Sequence, residues 1–242
     1  MPRWRALLKS GLTGAGLWPS ANNGPVALSE LNVVEAYRRW APSYSTETVP
    51  SFLDEELAQE MLAGLPCTQL LDAGCGIGRR IVNVPGAIGM DLSPDMLAAG
   101  RASNVVTGDV RAIPFPSERF DMVWCRLVLG YVPDALQAYM ELARVCKPGG
   151  YIFVTDFHPD ASAAGHRRTF TDQAGIVHNI EHYVHNNHME VAAKAGLSVV
   201  AHRDGAVGPS IRAFYVRGIG VRAYKRDTGL KLVAAFLFRR PR

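Results

Sequence analysis

The stretch LLDAGCGIGRR, residues Leu70–Arg80, places three glycines at alternate positions directly after an apolar run. The apolar run predicts a strand, and glycines in the turn that follows let the backbone approach a ligand closely. A dinucleotide-binding loop has the pattern G-x-G-x-x-G, whose last glycine allows close helix packing. Here Gly78 comes one residue too early, and Arg79 stands where that glycine is needed. The loop therefore argues against NAD, although a glycine triplet alone also fits a purely structural turn.

The composition is that of one globular domain. The chain has 242 residues, 48% of them hydrophobic and 20% charged, which is enough to bury one sizeable core. We expect a flexible leader over 1–24 and a single domain over 25–242. The net charge of +4 permits weak attraction to nucleic acid or anionic lipid, but much of the excess lies at the two ends of the chain. That distribution is not typical of a nucleic-acid-binding protein.

Cysteine spacing and hydropathy indicate the compartment. The four cysteines form no C-x-x-C pair, which argues against a zinc knuckle or a disulfide framework and fits a reducing cytoplasm. No apolar run approaches the roughly 20 residues that span a bilayer, so we expect no membrane span. Residues 1–24 loosely imitate a secretory signal, but their apolar part is short and broken by glycine. We therefore expect a cytoplasmic protein.

Apolar periodicity predicts an alternating order of helices and strands. Two N-terminal helices are expected within 28–65, in LSELNVVEAYRRWAPSYS and VPSFLDEELAQEMLAGL. A core over 66–156 follows: strand 68–73, a short helix in RRIVNVP (79–85), strand 87–91, helix 94–101, strand 103–108, strand 119–125, helix 133–146 and strand 150–156. This alternation predicts an α/β fold, in which helices cover both faces of a parallel sheet.

Acidic residues follow two further strands of the predicted sheet. Asp91 ends strand 87–91, where a carboxylate can accept hydrogen bonds from both hydroxyls of a ribose. Asp109 follows strand 103–108, where it can accept a hydrogen bond from an adenine amino group. Either residue alone would also serve as a helix cap or turn acceptor. Together with the glycine turn, the two carboxylates favour an adenosine without a pyrophosphate.

Four segments resemble, in this order, the successive motifs of one enzyme family: LLDAGCGIG, GMDLSPDML, GDVRAIPFPSERFDMVWC and ELARVCKPGGYIFVTDF. The family is the class I S-adenosylmethionine-dependent methyltransferases, and the likeness is to the type-11 small-molecule group, which includes enzymes of the ubiquinone and biotin pathways. AYRRWAPSYS is similar to a tyrosine-containing segment that precedes the core in that group. The resemblance covers residues 36–156 and implies a Rossmann-like, seven-stranded, mostly parallel sheet. Its last strand would be antiparallel, and GLKLVAAFLFRR fits that strand.

The resemblance also implies S-adenosylmethionine as the cofactor and a set of residues that bind it. The glycine turn would let the backbone approach the methionine part, while Leu92 and Met96 would pack on the adenine. Cys125 would lie under the sulfonium, although a small buried thiol without a chemical role also explains it. The implied set is Tyr37, Asp72 (which would polarise the turn), Gly74, Cys75, Gly76, Gly78, Asp91 (ribose), Leu92, Met96, Asp109 and Val110 (adenine edge), and Cys125.

Two features depart from the family pattern. Thirteen positions lead from Gly78 to Asp91. That spacing leaves room for about two turns of helix, where the family usually has about one turn more. Tyr131 occupies a position at which many relatives carry histidine, so a histidine base cannot be assumed there.

The segment 157–185 is predicted to be an insertion that forms a lid. HRRTFTDQAGIVHNIEHYVH reads as two extended runs about an Ala-Gly turn, which predicts a hairpin over the methyl donor. His158, at the tip of a central strand, and His182, in the insertion, are the candidates for a general base. Polar side chains without a chemical role are the alternative. The spacing of His182, His185 and His188 spreads them widely around a helix, so we expect no metal.

These features predict a methyltransferase that acts on a small-molecule acceptor in a biosynthetic pathway, by O- or C-methylation. The chain lacks the Asn/Asp-Pro-Pro-Tyr motif after the fourth strand, unlike enzymes that methylate exocyclic amines of nucleic acids. The alternatives are an RNA or protein methyltransferase, favoured only by the basic charge, and a non-catalytic regulator that binds S-adenosylmethionine. Further helices and strands are expected over 186–242, including a helix in SIRAFYVRGIGVRAYKR. The oligomeric state stays open, a homodimer included.

Overall fold

The computed structural model describes residues 29–44 and 48–242, so the leader expected over 1–24 lies outside the described residues. The described strands are β1 (Ser29–Leu31), β2 (Leu70–Ala73), β3 (Ala87–Asp91), β4 (Val105–Thr107), β5 (Phe120–Arg126), β6 (Cys146–Phe157), β7 (Thr169–Thr171), β8 (Val177–Ile180), β9 (Ser198–Ala206) and β10 (Lys231–Arg239). The described helices are α1 (Val33–Trp40), α2 (Val49–Met61), α3 (Pro94–Ala99), α4 (Ala135–Val145), α5 (Pro159–Ala163), α6 (His188–Lys194), α7 (Arg212–Ile219) and α8 (Val221–Asp227). None of these helices is long and apolar enough to cross a membrane.

The main sheet has seven of the described strands, in the order β4-β3-β2-β5-β6-β10-β9. Strands β2 to β6 pair with their neighbours in parallel, whereas β10 runs antiparallel to both β6 and β9. The strand order reverses between β2 and β5, and sheets of this kind bind ligands at the carboxyl ends of the strands beside such a reversal. The predicted α/β class and the antiparallel last strand are both confirmed.

Two apolar cores cover the two faces of this sheet. Phe236 and Phe238 of β10 belong to one buried cluster, and Val233 and Leu237 belong to another. Because successive strand residues point to opposite faces, the two clusters lie on opposite sides of the sheet. Helix α4 packs in the first cluster and α2 in the second.

The hairpin predicted before the last helices is present. Strands β7 and β8 pair antiparallel, and β1 adds to them as a parallel partner of β8. Trp40 of α1 stacks on Phe170 of β7, with ring centroids 5.2 Å apart. Ala36 and Ile180 are buried in the same cluster. This small sheet therefore fixes α1 against the hairpin.

The first predicted helix, within 28–45, is shorter than expected. Its first residues, Ser29–Leu31, form β1 because β8 offers them an edge to pair with. The side chain of Asn32 then accepts a hydrogen bond from the backbone N–H of Glu35 at 3.0 Å. This N-cap begins the helix at Val33.

The short helix predicted over 79–85 is wrong, because these residues form successive turns. The N–H of Ile81 bonds to the carbonyl of Gly78 at 3.1 Å, a spacing of three residues rather than four. Asn83 has a φ of 64°, which lies in the left-handed region and interrupts a right-handed helix.

The single helix predicted over 210–226 is also wrong. The structure has two helices, α7 and α8, separated by Gly220. The φ of Gly220 is 91°, a conformation that glycine adopts without a steric penalty and that ends a helix.

Candidate active site

A pocket lies beside the carboxyl ends of β2, β3 and β5, at the reversal of the strand order. Its wall is built from the glycine turn after β2, the residues that follow β3 and β5, and parts of α1 and α2. The predicted cofactor residues in this wall are Tyr37, Gly74, Cys75, Gly76, Asp91, Leu92, Asp109 and Val110. Folding therefore brings together most of the residues that the sequence singles out.

The glycine turn is held against β3 by hydrogen bonds. The N–H groups of Gly74 and Cys75 both donate to the carbonyl of Met90, at 2.7 and 2.9 Å. Gly74 has a φ of 84°, and a Cβ there would lie 2.2 Å from Cγ2 of Val128. Since no larger residue fits, the turn presents bare backbone to the pocket.

Asp91 closes the turn from the side of β3. Its Oδ2 accepts a hydrogen bond from the N–H of Gly76 at 2.7 Å, and its Oδ1 accepts one from the N–H of Ser93 at 2.9 Å. Burial raises the pKa of Asp91 above its ordinary value. A carboxylate has about four acceptor positions, so Asp91 retains acceptor capacity for ligand hydroxyls.

Asp109 lies in the wall beside the exposed Arg111. Its carboxylate accepts hydrogen bonds from the backbone N–H of Arg111 at 2.8 Å and from the guanidinium at 2.5 to 3.1 Å. These bonds lower the pKa of Asp109, so it stays an ionised acceptor at neutral pH. Val110, next in the chain, is buried in the same wall.

The other predicted cofactor residues lie behind the wall. Met96 is buried, and its methyl group would lie 3.3 Å from a Cβ at Gly76. Cys125 is fully buried in a core cluster, where burial raises the pKa of its thiol. Asp72 is fully buried, and neither of its carboxylate oxygens has a hydrogen-bond partner among the described residues. The remaining member, Gly78, is buried at the end of the turn.

A tyrosine–arginine cluster, Tyr37, Tyr131 and Arg168, forms another part of the wall. The hydroxyl of Tyr37 donates to the hydroxyl oxygen of Tyr131 at 2.9 Å, and Nε of Arg168 donates to the same oxygen at 2.7 Å. The guanidinium also lies over the ring of Phe157, 4.6 Å from its centroid. Among the described residues, no carboxylate pairs with Arg168.

A second charged group, the Asp54 cluster, consists of Asp54, Arg80, Arg126 and Thr155. Asp54 of α2 is fully buried and accepts hydrogen bonds from Nη2 of Arg80 at 2.7 Å and from Nη2 of Arg126 at 2.8 Å. The hydroxyl of Thr155 donates to Asp54 at 2.6 Å. Both arginines also line the pocket.

Comparison with known sequences identifies the domain around this pocket. A family model described as a methyltransferase domain matches residues 71–154. A malonyl-[acyl-carrier protein] O-methyltransferase of Enterobacter lignolyticus is 34% identical over 140 residues, which cover 53% of this chain and 55% of that protein. A protein of the same name from Dechloromonas aromatica is 28% identical over 192 residues, covering 75% and 70%. The chain carries a class I S-adenosylmethionine-dependent methyltransferase domain. The chain spans about half the length of most of the curated relatives that it matches.

Solved structures share the fold of this methyltransferase domain. One solved structure is that of a "putative S-adenosylmethionine dependent methyltransferase" from Listeria monocytogenes. It has a TM-score of 0.59 at 14% identity, and the match covers 79% of this chain and 100% of that one. The N-methyltransferase NodS of Bradyrhizobium japonicum, solved with S-adenosyl-L-homocysteine, has a TM-score of 0.59 at 16% identity, covering 88% and 100%. At these identities the likeness concerns the fold alone.

The residues of the methyltransferase domain fit S-adenosylmethionine. The bare backbone at Gly74 permits the close approach that the methionine part requires. Asp91 and Asp109 offer acceptors for ribose hydroxyls and an adenine amino group.

The two histidines predicted as bases are not part of the pocket wall in the methyltransferase domain. His158 caps α5, its Nδ1 accepting from the N–H of Asp160 at 3.1 Å. His182 lies behind Tyr131, with ring centroids 5.6 Å apart. Burial lowers the pKa of His182 to about 4, so its imidazole is neutral at neutral pH.

His185 and His188, which follow His182 in the chain, have different hydrogen-bond partners. Nε2 of His185 lies 2.9 Å from the carbonyl oxygen of Val132. Nδ1 of His188 lies 3.0 Å from the hydroxyl of Tyr139. The two imidazole rings also contact each other, with centroids 5.8 Å apart.

Sequence reasoning missed Arg80, Arg126 and Arg168 as wall residues. Arg80 follows the glycine turn by two positions, and this proximity is a signal that could have been used. Arg168 has no comparable signal, because the adjacent Arg167 looks equivalent in sequence yet is exposed.

Proposed function

We propose that this protein transfers the methyl group of S-adenosylmethionine to a carboxylate oxygen of a small acid. The observation that carries the proposal is Arg168, a cation in the same pocket as the glycine turn and Asp91, with no carboxylate partner among the described residues. A partly buried guanidinium is stabilised by an anion that binds it with two parallel hydrogen bonds. A carboxylate on the acceptor supplies that anion.

Hydrogen bonding at Tyr131 supports the same ligand. Its oxygen accepts from Tyr37 and from Arg168, which uses both lone pairs. The O–H of Tyr131 has no acceptor within the described residues, and the pocket lies beside it. A carboxylate oxygen would accept this O–H while the terminal N–H groups of Arg168 hold the carboxylate in place.

Methyl transfer requires mainly that the methyl donor and the acceptor oxygen are held in line. S-adenosylmethionine supplies an electrophilic methyl group, and displacement from a sulfonium disperses charge, so holding two reactants in line lowers the barrier. A carboxylic acid with a pKa of about 4 is already ionised at neutral pH, so this acceptor needs no general base. We therefore assign His182 a positioning role behind Tyr131, and His158 the cap of α5.

The relatives support this acceptor class. Their names specify a malonyl group on an acyl-carrier protein, and a malonyl thioester bears one free carboxylate. We therefore include a malonyl-type half-acid, borne on a carrier or a small thiol, among the proposed acceptors. The neutral aromatic part of the wall, including Tyr37, would enclose its short carbon chain.

Replacement of Arg168 tests this proposal. We expect Arg168→Met to lower kcat/KM for a malonyl thioester by about 10- to 100-fold, the effect of losing hydrogen bonds to a charged group. The affinity for S-adenosylhomocysteine should stay unchanged. The assay detects the methyl ester by mass spectrometry.

Arg167→Met is the matched control, because Arg167 is the exposed neighbour that bonds only to backbone carbonyls among its described contacts. It should retain wild-type kcat/KM. Equal activities of the two variants would contradict the role of Arg168, and transfer to a phenol but to no carboxylic acid would contradict the acceptor class.

A further inference from the structure

The turn that follows β5, residues 127–132, presents Tyr131 to the pocket. Val128 and Tyr131 both line the pocket, and Leu129–Tyr131 form a short 3₁₀ helix. Such helices have poor hydrogen-bond geometry and are used only in short pieces. Leu127 has a φ of 58°, in the left-handed region that a leucine adopts only when its surroundings impose it. The turn therefore depends on contacts from elsewhere in the chain.

A segment close to α6, residues 182–185, supplies several of these contacts. The N–H of Tyr183 donates a hydrogen bond to the carbonyl oxygen of Gly130 at 2.7 Å. A Cβ at Gly130 would lie 2.1 Å from Nε2 of His182, so the imidazole of His182 packs directly against the backbone of the turn. The middle residue of the 3₁₀ helix is thus contacted by two residues of the segment.

His185 adds two hydrogen bonds from a single nitrogen atom. Its Nε2 lies 3.1 Å from the carbonyl oxygen of Leu129 and 2.9 Å from that of Val132. A carbonyl oxygen can only accept a hydrogen bond, so Nε2 carries the hydrogen and donates to both. The side chain of His185 therefore connects the first residue of the 3₁₀ helix to the residue that follows its end.

The two halves of the turn are held by different parts of the chain. The N–H of Leu127 donates to the carbonyl oxygen of Thr155 in β6 at 2.8 Å, and the next residue, Val128, lies against Gly74 of the glycine turn. The half that carries Tyr131 is held by residues 182–185. Loss of the hydrogen bonds from this segment should therefore displace the half with Tyr131 more than the half beside the glycine turn.

The position of the Tyr131 hydroxyl depends on this backbone. Its oxygen accepts hydrogen bonds from Tyr37 at 2.9 Å and from Arg168 at 2.7 Å. A backbone shift of about 1 Å would lengthen these bonds beyond the usual hydrogen-bond range. His185 does not line the pocket, so an effect of His185 on a bound acceptor would pass through the turn.

We propose that His185 is a positioning residue for the methyl acceptor. By donating one N–H to two carbonyl oxygens, it fixes the half of the turn that holds the Tyr131 hydroxyl toward the acceptor carboxylate. This inference rests on the proposed function, because it requires that Tyr131 and Arg168 bind the acceptor.

Two substitutions of His185 test the donated hydrogen. Leucine has no donor, whereas the amide of glutamine keeps N–H groups on a side chain of similar reach. We expect His185→Leu to lower kcat/KM for a malonyl thioester by about 10-fold, while the affinity for S-adenosylhomocysteine, measured by calorimetry, stays nearly unchanged. His185→Gln should restore most of the activity.

A double-mutant cycle with Tyr131→Phe separates positioning from general stability. If His185 acts through the Tyr131 hydroxyl, His185→Leu should lower kcat/KM only slightly in the Tyr131→Phe protein, so that the two losses do not multiply. A general loss of stability would instead lower kcat/KM by the same factor in both backgrounds.

His202→Leu is the matched control, because it is the same substitution at a partly exposed histidine of β9 that does not line the pocket. It should retain the wild-type kcat/KM and the wild-type affinity for S-adenosylhomocysteine.

The outcomes that overturn the inference differ from failure of the proposed function. Equal losses from His185→Leu with and without the Tyr131 hydroxyl would overturn it, as would wild-type activity of His185→Leu or a failure of His185→Gln to restore activity. If the proposed function is wrong, Tyr131→Phe and Arg168→Met themselves would retain the wild-type kcat/KM for the malonyl thioester, and the inference would fail with it.

Discussion

At the scale of single residues, two arginines line separate parts of the pocket wall. Arg168 bonds to Tyr131 and faces the proposed acceptor, whereas Arg80 bonds to Asp54 beside the glycine turn. Neither contact is visible in the local sequence, because each partner lies far along the chain. Asp91 and Asp109 were predictable, since the carboxyl end of each strand fixes where the next side chains lie.

The protonation states of His182, beside Tyr131 of the pocket wall, and of the proposed acceptor predict a simple pH dependence. His182 has a pKa lowered by burial to about 4, and the proposed acceptor ionises at about the same pH. Neither of these two groups therefore changes its protonation state near neutrality. We expect kcat/KM for a carboxylic acceptor to be constant from about pH 6 to 8, and to fall only in more acidic solution.

The pH profile of His182→Gln provides the comparison. It should have the same flat region, with kcat lowered if Tyr131 is less well held. A wild-type rate that rises with pH through the ordinary range of histidine, and that becomes flat in His182→Gln, would show that His182 acts as a base.

At the scale of elements, a small sheet couples the start of the described chain to the insertion. Strand β1 pairs with β8, and Trp40 stacks on Phe170, so α1 and the hairpin hold each other in place. The hairpin was predictable from two extended runs about a turn. Strand β1 was not, because its three residues are strand-like only once β8 provides an edge. The turns at 79–85 were missed because the prediction placed a helix there, although Asn83 and Pro85 both disfavour one.

Phe170→Ala tests whether this sheet organises the acceptor region. Phe170 is fully buried, and such a truncation removes about 3 to 5 kcal/mol of packing. We expect faster hydrogen exchange in β1, β7 and β8 and a higher KM for the acceptor, with affinity for S-adenosylhomocysteine nearly unchanged. Equal losses of acceptor and cofactor binding would place the hairpin in the cofactor site.

Ile176→Ala is the control for that experiment. Ile176 lies at the hairpin tip and is 53% exposed, so its truncation should leave hydrogen exchange and KM at wild-type values. A change as large as that of Phe170→Ala would mean that any perturbation of the hairpin, and not the Trp40 contact, controls acceptor binding.

At the scale of the whole molecule, the pocket wall combines residues of the methyltransferase domain with side chains from segments outside it. The domain matched by the family model covers residues 71–154, and its strand order and glycine turn follow from apolar periodicity and turn chemistry. Arg168 and Tyr37 come from outside that range. The sequence therefore predicted the residues around the glycine turn in more detail than the tyrosine–arginine cluster, which forms through tertiary contacts.

The most direct test of the central claim uses methyl-labelled S-adenosylmethionine and a panel of acceptors that includes a malonyl thioester, a phenol, RNA and protein. A carboxyl methyl ester releases its label as volatile methanol in mild alkali, whereas methyl groups on phenols or nucleic-acid bases are stable. The account predicts alkali-labile label on the small acid, lost in Arg168→Met. Alkali-stable label on any other acceptor, or tight cofactor binding without transfer to any of them, would contradict it.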